Sequence, residues 1–139
     1  MELIYNQLFK LLAAVLLSSF IGLERELKHK PAGVKTHVLV CVGATLVTLL
    51  AVNPIVGEVP RIMAAIITGM GFIGAGAIIA HGSEHVRGLT TAASLWIVAS
   101  LGIAIGLGFY ILGVITAIII LVTLYFGEII EKRLAKRYP

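Results

Sequence analysis

The sequence has little charge and contains no aspartate. Charged residues occupy 13% of its 139 positions and hydrophobic residues occupy 59%, whereas about 25% of the residues of a soluble domain are charged. A soluble fold of this length could not bury so much apolar surface. The composition therefore argues against a soluble globular protein and indicates a membrane protein.

The absence of aspartate also bears on a glycine-rich stretch, residues 68–80, in which Gly69, Gly71 and Gly74 spell G-x-G-x-x-G. That dinucleotide-binding fingerprint requires a preceding strand and an acidic residue about 20 positions later. Here the stretch lies inside an uncharged run, Ile62–Ala80. About 19 helical residues span roughly 28 Å, close to the hydrocarbon thickness of a bilayer. The run therefore predicts a transmembrane helix.

One cysteine, Cys41, is present, so no disulfide can form within the chain. We interpret it as a buried structural thiol, because reactive thiols need accessible, electropositive surroundings. The first apolar run has no small-residue cleavage site and is followed by a basic segment, which predicts a retained helix. The basic residues are not interleaved with aromatics, and nucleic-acid binding is not expected.

Five apolar segments predict an all-α bundle of five transmembrane helices. The predicted spans are Leu3–Leu23, His37–Val52, Ile62–Ala80, Thr91–Leu107 and Gly108–Phe126. Only glycines separate the last two. Lys10, the single charge in the first span, is expected to snorkel or to face protein. Residues 1–126 form the predicted transmembrane domain, and 127–139 form a short basic tail that continues as an amphipathic helix at the membrane surface.

The lysines and arginines are distributed unequally between the two sides of this bundle. All of the 11 except Lys10 and Arg61 fall on one side. Because positive residues accumulate on the cytoplasmic side, the N-terminus is predicted outside and the C-terminus in the cytoplasm.

Small residues indicate where helices approach closely. Gly102 and Gly106 form a G-x-x-x-G pair in the fourth span, typical of a packing face. The third span has small residues on two faces, with glycines at Gly69, Gly71, Gly74 and Gly76. Two interpretations stay open for these glycines: the helix packs between two others as the centre of the bundle, or it lines a path.

A possible metal site occurs at His81, where H-x-x-E-H continues to His85. The zinc-hydrolase chemistry of that pattern needs one rigid helix and a further ligand. Gly82 and Ser83 favour a solvated loop instead. With few acidic residues, a protein cage for Mg²⁺ is not expected either, and the sequence identifies no cofactor and no metal site.

Charged and hydroxyl side chains cluster at the predicted cytoplasmic boundary. Glu24 and Arg25 either close the first helix among lipid headgroups or turn inward to pair with Lys35, His37 or Arg87. Thr90 or Thr91 can cap the fourth helix, and Arg87 beside that end allows the binding of a phosphate, lipid headgroup or carboxylate. Trp96, inside the fourth span, is expected to pack in the bundle.

Four segments resemble successive motifs of the MgtC/SapB membrane-protein family. They are Gly22–Glu26 (G-L-E-R-E), Ala32–His37 (A-G-V-K-T-H), Gly69–Gly76 (G-M-G-F-I-G-A-G) and Val86–Trp96 (V-R-G-L-T-T-A-A-S-L-W). The resemblance extends from about Ala13 to about Leu121. The residues of this chain that match functional positions of the family motifs are Glu24, Arg25, Lys35, Thr36, Gly71, Gly74, Gly76, Arg87, Gly88, Thr90 and Thr91.

The resemblance implies a prokaryotic cytoplasmic-membrane protein linked to growth under magnesium limitation, survival in macrophages and inhibition of the ATP synthase. Known members carry a further cytoplasmic C-terminal domain, which is not expected here. We therefore expect a non-enzymatic protein of magnesium or ion homeostasis that binds a ligand or regulates a membrane-protein partner. A homodimer through small-residue faces is favoured. A transporter or channel for a cation or small solute, and a passive scaffold, are the alternatives.

Overall fold

A computed structural model describes residues 1–55, 57–79 and 87–135 of the chain. Within these residues the chain is all-helical, with α1 Glu2–Leu27, α2 Val34–Val52, α3 Val59–Ile79, α4 Leu89–Leu107 and α5 Tyr110–Ala135. All five helices are long and apolar enough to cross a membrane. The predicted five-helix architecture is confirmed, whereas the side on which each terminus lies stays a prediction.

The turn between α4 and α5 depends on a glycine, as the sequence suggested. Gly108 follows α4 with a φ of 91°, a conformation that glycine adopts without steric cost. The amides of Gly108 and Phe109 each donate to carbonyls in the last turn of α4, at 2.9 Å. These bonds satisfy carbonyls that a helix end leaves unpaired. The apolar run therefore becomes two helices.

The fourth helix is the centre of the bundle. In the most apolar 18-residue segment of α4, 61% of the residues are buried, whereas 11% are buried in the corresponding segment of α3. It packs against α2 and α3 most extensively and also contacts α1 and α5. Val98, Leu101 and Ile105 join a core cluster with α1, α2 and α5, whereas Leu95 and Ala99 join a second cluster with α2 and α3.

The approach of α2 to α4 uses the G-x-x-x-G pair. A methyl group added at Gly102 would lie 2.9 Å from Ala44 Cβ and would press still harder on the Cys41 carbonyl. One added at Gly106 would lie 2.7 Å from Thr48 Cβ. Both glycines therefore allow a helix contact that any larger residue would push apart.

The glycine-rich helix α3 lies at the edge of the bundle. A methyl group added at Gly69, Gly71 or Gly76 would meet no atom within 4 Å, and one at Gly74 would only touch Ala92 at 3.5 Å. The expectation that this helix is the packing centre is therefore wrong within the single chain. Its neighbours, α4 and to a smaller extent α2, cover one side of it and leave the other open. Whether the open glycines line a path stays a prediction.

Contacts at the two ends of the bundle establish which helix termini lie together. At one end, Lys10 Nζ donates to the Gly106 carbonyl at 2.8 Å, and Tyr110 donates to Asn6 Oδ1 at 3.2 Å. Lys10 thus faces protein, where its charge suits the C-terminus of α4. At the other end, α1 and α5 finish and α2 and α4 begin. We call this the basic end, because it carries Arg25, Lys28, Lys30, Lys35 and Arg87.

Candidate ligand site at the basic end

A chain of buried polar side chains joins α1, α4 and α2 at the basic end. Arg25 Nη2 donates to Thr91 Oγ1 at 3.2 Å, and Ser94 Oγ donates to the Thr91 carbonyl at 2.8 Å. His37 Nε2 lies 3.2 Å from Ser94 Oγ, and His37 Nδ1 lies 2.9 Å from the Gly33 carbonyl. Because a carbonyl can only accept, Nδ1 carries a proton in that contact. Three helices are thus linked through one path of polar contacts, in which the single Ser94 hydroxyl hydrogen is shared between the Thr91 carbonyl and His37 Nε2.

Arg25 is buried but keeps donor capacity. Its residue is 3% exposed, and its Nε has no hydrogen-bond partner among the described residues. Glu24 Oε2 lies 3.9 Å from Arg25 Nη1, which is too long for a hydrogen bond. A guanidinium offers five N–H donors, and a buried charge that is only partly satisfied is costly. The site therefore suits a further acceptor, such as an anionic ligand.

Lys28 connects the ends of α1 and α5. Its Nζ lies 2.6 Å from Glu24 Oε1, contacts Glu128 Oε2, and stands 5.7 Å from the centre of the Tyr125 ring. Hydrogen bonds to Glu128 first and to Glu24 second raise the pKa of Lys28. Both carboxylates are thus drawn to Lys28. Sequence reasoning missed this bridge, since only the Glu24–Lys28 spacing of four signals it, and Glu128 falls in the predicted tail.

A cavity of about 400 Å³ opens beside this path. It is lined by Arg25, His29, Lys30, Pro31, Arg87, Gly88, Thr90 and Thr91. Four of these carry basic side chains, and none of the described lining residues is acidic. We call it the basic cavity. Such a lining attracts an anion and repels a metal cation.

The N-terminus of α4 borders the basic cavity. Its N-cap is Gly88, with a φ of 91° and no side-chain cap hydrogen bond. The prediction that Thr90 or Thr91 caps this helix is therefore wrong, because both lie inside its first turn. Thr91 instead accepts the bond from Arg25. The uncapped first-turn amides add a second feature that attracts anions.

Two further cavities adjoin the basic cavity. One, of about 210 Å³, includes both Arg25 and the acids Glu128 and Glu131 in its lining. The other is a cleft between α4 and α5 of about 540 Å³, which we call the apolar cleft. Its lining residues are Thr90, Ala93, Ser94, Trp96, Ile97, Ile119, Ile120, Thr123 and Leu124. Thr90 lines all three cavities, and the smaller cavity also shares Arg25 and Lys30 with the basic cavity and Thr123 and Leu124 with the apolar cleft.

Comparison with known proteins agrees with the motifs at this end of the bundle. A sequence model of the MgtC family matches residues 11–133 of the chain. The chain belongs to the MgtC family. The resemblance found in the sequence is thereby confirmed.

Curated relatives in the MgtC family include protein SapB of Bacillus subtilis, which is 43% identical over 74% of this chain and 48% of its own length. Protein MgtC of Salmonella typhimurium is 41% identical over 86% of this chain and 51% of its own. Putative magnesium transporter YhiD of Escherichia coli is 34% identical over 94% of this chain and 65% of its own. The chain thus spans about half to two thirds of these relatives. No solved structure matches it.

The remaining MgtC-motif residues are only partly brought together. Arg87 is exposed and lines the basic cavity. Lys35 is exposed and Thr36 is half-buried, and neither bonds to another described residue. The predicted network of Glu24, Arg25, Lys35 and Arg87 is therefore wrong for Lys35, which lies on the outer side of the first turn of α2.

Trp96 also differs from its prediction. It is 47% exposed, because it lines the apolar cleft that α5 leaves open beside α4. Cys41, by contrast, is fully buried as expected.

The H-x-x-E-H pattern at His81 lies outside the described residues. Within the described ranges, no three His, Cys, Asp or Glu side chains are grouped so that they could hold a metal ion.

Proposed function

We propose that this MgtC-family chain is a non-enzymatic, multi-pass protein of a prokaryotic cytoplasmic membrane that acts in magnesium or ion homeostasis. It binds a ligand at the basic end and thereby regulates a membrane partner. Family membership supports the link to magnesium, because one relative bears the name of a putative magnesium transporter. The concentration of lysine and arginine at the basic end supports a cytoplasmic location for that end.

The observation that carries this proposal is the incompletely satisfied Arg25 where three helices meet. A ligand that accepts from the guanidinium stabilises the arrangement in which Arg25 also donates to Thr91. Thr91 lies on the central helix, and Ser94 and His37 continue the path to α2. A ligand that binds one conformation more tightly than another shifts the equilibrium between the two. A regulatory protein requires such a shift.

Complementation under magnesium limitation tests the proposal. A strain lacking its own copy receives the wild-type chain, Arg25→Gln, Arg25→Lys or Lys35→Gln. We expect Arg25→Gln to lose complementation while Lys35→Gln retains it, because only Arg25 belongs to the buried path. Arg25→Lys keeps the charge without the planar donor fork, and we expect partial activity. Full complementation by a folded Arg25→Gln protein would contradict the proposal.

We also propose that the chain is a homodimer through the outer face of α3. The support is the open space at Gly69 and Gly76, which lie on one face of the helix, since small residues allow transmembrane helices to approach closely. The test is the oligomeric state in detergent and in nanodiscs, with Gly69→Leu as the variant. Gly43→Leu is the matched control, because Gly43 on α2 also has no atom near an added methyl group. Dissociation by the control alone would refute the assignment.

Transport is the second candidate function. It is favoured by the same open glycines, which in a dimer could line a path between two copies of α3. Reconstituted liposomes under gradients of Mg²⁺, Na⁺ or H⁺ decide between the two functions. Flux that Gly69→Leu blocks supports transport, whereas the absence of flux together with magnesium-dependent complementation supports regulation.

A further inference from the structure

The basic cavity and the apolar cleft have complementary chemistry and share Thr90. We propose that they form one binding site for an anionic phospholipid, with the lipid phosphate in the basic cavity and an acyl chain in the apolar cleft. This inference rests on the proposed function in that it identifies the chemical class of the ligand bound at the basic end. Lipid binding can be measured in vitro whether or not the magnesium phenotype holds.

The phosphate is assigned to the basic cavity by three independent features. Arg25 is buried and contributes to the cavity lining. Lys30 and Arg87 contribute two further cations from separate loops. The uncapped N-terminus of α4 borders the cavity, and first-turn amides bind phosphate groups. Arginine and amide donors together match the oxygens of a phosphodiester.

The neighbouring charges disfavour the adjoining smaller cavity as the position of the phosphate. Glu128 and Glu131 line the adjoining smaller cavity, where they repel an anion. Lys28 is engaged by Glu24 and Glu128, so its charge is already compensated. The basic cavity, with no carboxylate among its described lining residues, is therefore the favourable position for a negative headgroup.

The apolar cleft supplies the second half of the site. Apart from hydroxyl-bearing residues such as Thr90 and Thr123, its walls are aliphatic or aromatic. Trp96 is 47% exposed there and Ile119 is 57% exposed. An inorganic phosphate would leave this surface empty, whereas a phospholipid fills both parts with one molecule. A ligand with both a phosphate and an acyl chain thus matches the two linings that share Thr90, which favours the lipid over a free anion.

The sole tryptophan of the chain provides a direct probe, because Trp96 lines the cleft. The full chain is placed in phosphatidylcholine nanodiscs with a small fraction of brominated phosphatidylglycerol or brominated phosphatidylcholine, and quenching of Trp96 fluorescence is recorded. We expect the anionic lipid to quench at the lower mole fraction. Arg87→Gln should reduce this preference about five-fold, the usual contribution of one basic residue near a charged headgroup.

Three controls keep the test decisive. Lys35→Gln removes an exposed cation at the same end that does not line the cavity, so it should leave the preference unchanged. Lys30→Gln should act like Arg87→Gln, which avoids reliance on the buried Arg25. Ala93→Phe should weaken quenching by filling the cleft. Equal quenching by both lipids, or an effect of Lys35→Gln equal to that of Arg87→Gln, would overturn the proposal.

Discussion

Adding one methyl group at Gly102 should destabilise the bundle far more than the same change at Gly69. The added carbon of Gly102→Ala would lie 2.9 Å from Ala44 Cβ, roughly half an ångström or more inside the ~3.5 Å at which two carbons attract. It would also clash with the Cys41 carbonyl, which is backbone and can move only with α2. Overpacking of this kind costs about 1–3 kcal/mol.

Gly69→Ala is the matched control, since its methyl group meets no atom within 4 Å. We expect its effect to stay within about 0.5 kcal/mol. Both variants are unfolded reversibly with SDS in mixed micelles, under conditions where the chain is monomeric, and the free energies of unfolding are compared. A neutral Gly102→Ala, or a Gly69→Ala that is equally costly, would refute the placement of α4 at the centre and α3 at the edge.

Three other expectations follow from single contacts. Thr45→Val removes a hydroxyl whose single hydrogen is shared between the carbonyls of Cys41 at 2.9 Å and Gly102 at 3.0 Å. We expect a loss of about 0.6 kcal/mol in the same unfolding assay, and no loss would show that this hydroxyl contributes nothing to α2–α4 packing. Lys28→Met should destabilise the fold at neutral pH by leaving Glu128 without this partner. Because pairing raises the pKa of Lys28, its stabilisation is complete below the ordinary value of 10.5 and is lost as pH rises through the raised value. Wild type and Lys28→Met should therefore converge in melting temperature only at strongly alkaline pH, and a constant difference would contradict the assignment. Cys41 is fully buried, so a maleimide should label it only after unfolding, and rapid labelling of the folded chain would disprove its burial.

The architecture could be predicted because it depends on local properties of the chain. The uncharged run Ile62–Ala80 was long enough to span a bilayer whatever its neighbours, and Gly108 ended α4 through its own backbone conformation. The G-x-x-x-G pair at Gly102 and Gly106 likewise indicated a packing face. The motifs around Arg25 and Arg87 placed polar groups at one end of the bundle, since both flank apolar spans.

The position of α3 could not be predicted from its composition. Four glycines allow close packing but do not create it, and only the arrangement of the other helices left Gly69, Gly71 and Gly76 without neighbours. The same holds for Trp96, whose exposure depends on where α5 lies. Apolarity shows that a residue avoids water; it does not distinguish a protein neighbour from lipid, because both environments are equally apolar.

The sequence by itself determined five helices long and apolar enough to span a membrane, membership of the MgtC family and a concentration of basic residues at one end. These follow from the length, hydropathy and order of local segments. Tertiary structure alone decided that α4 is central and that Arg25 reaches Thr91, since each involves residues distant in the chain. It also placed a cavity with no carboxylate among its described lining residues next to an apolar cleft, with Thr90 in both linings. Charges attract or repel according to distance in space, and only the packed helices set those distances.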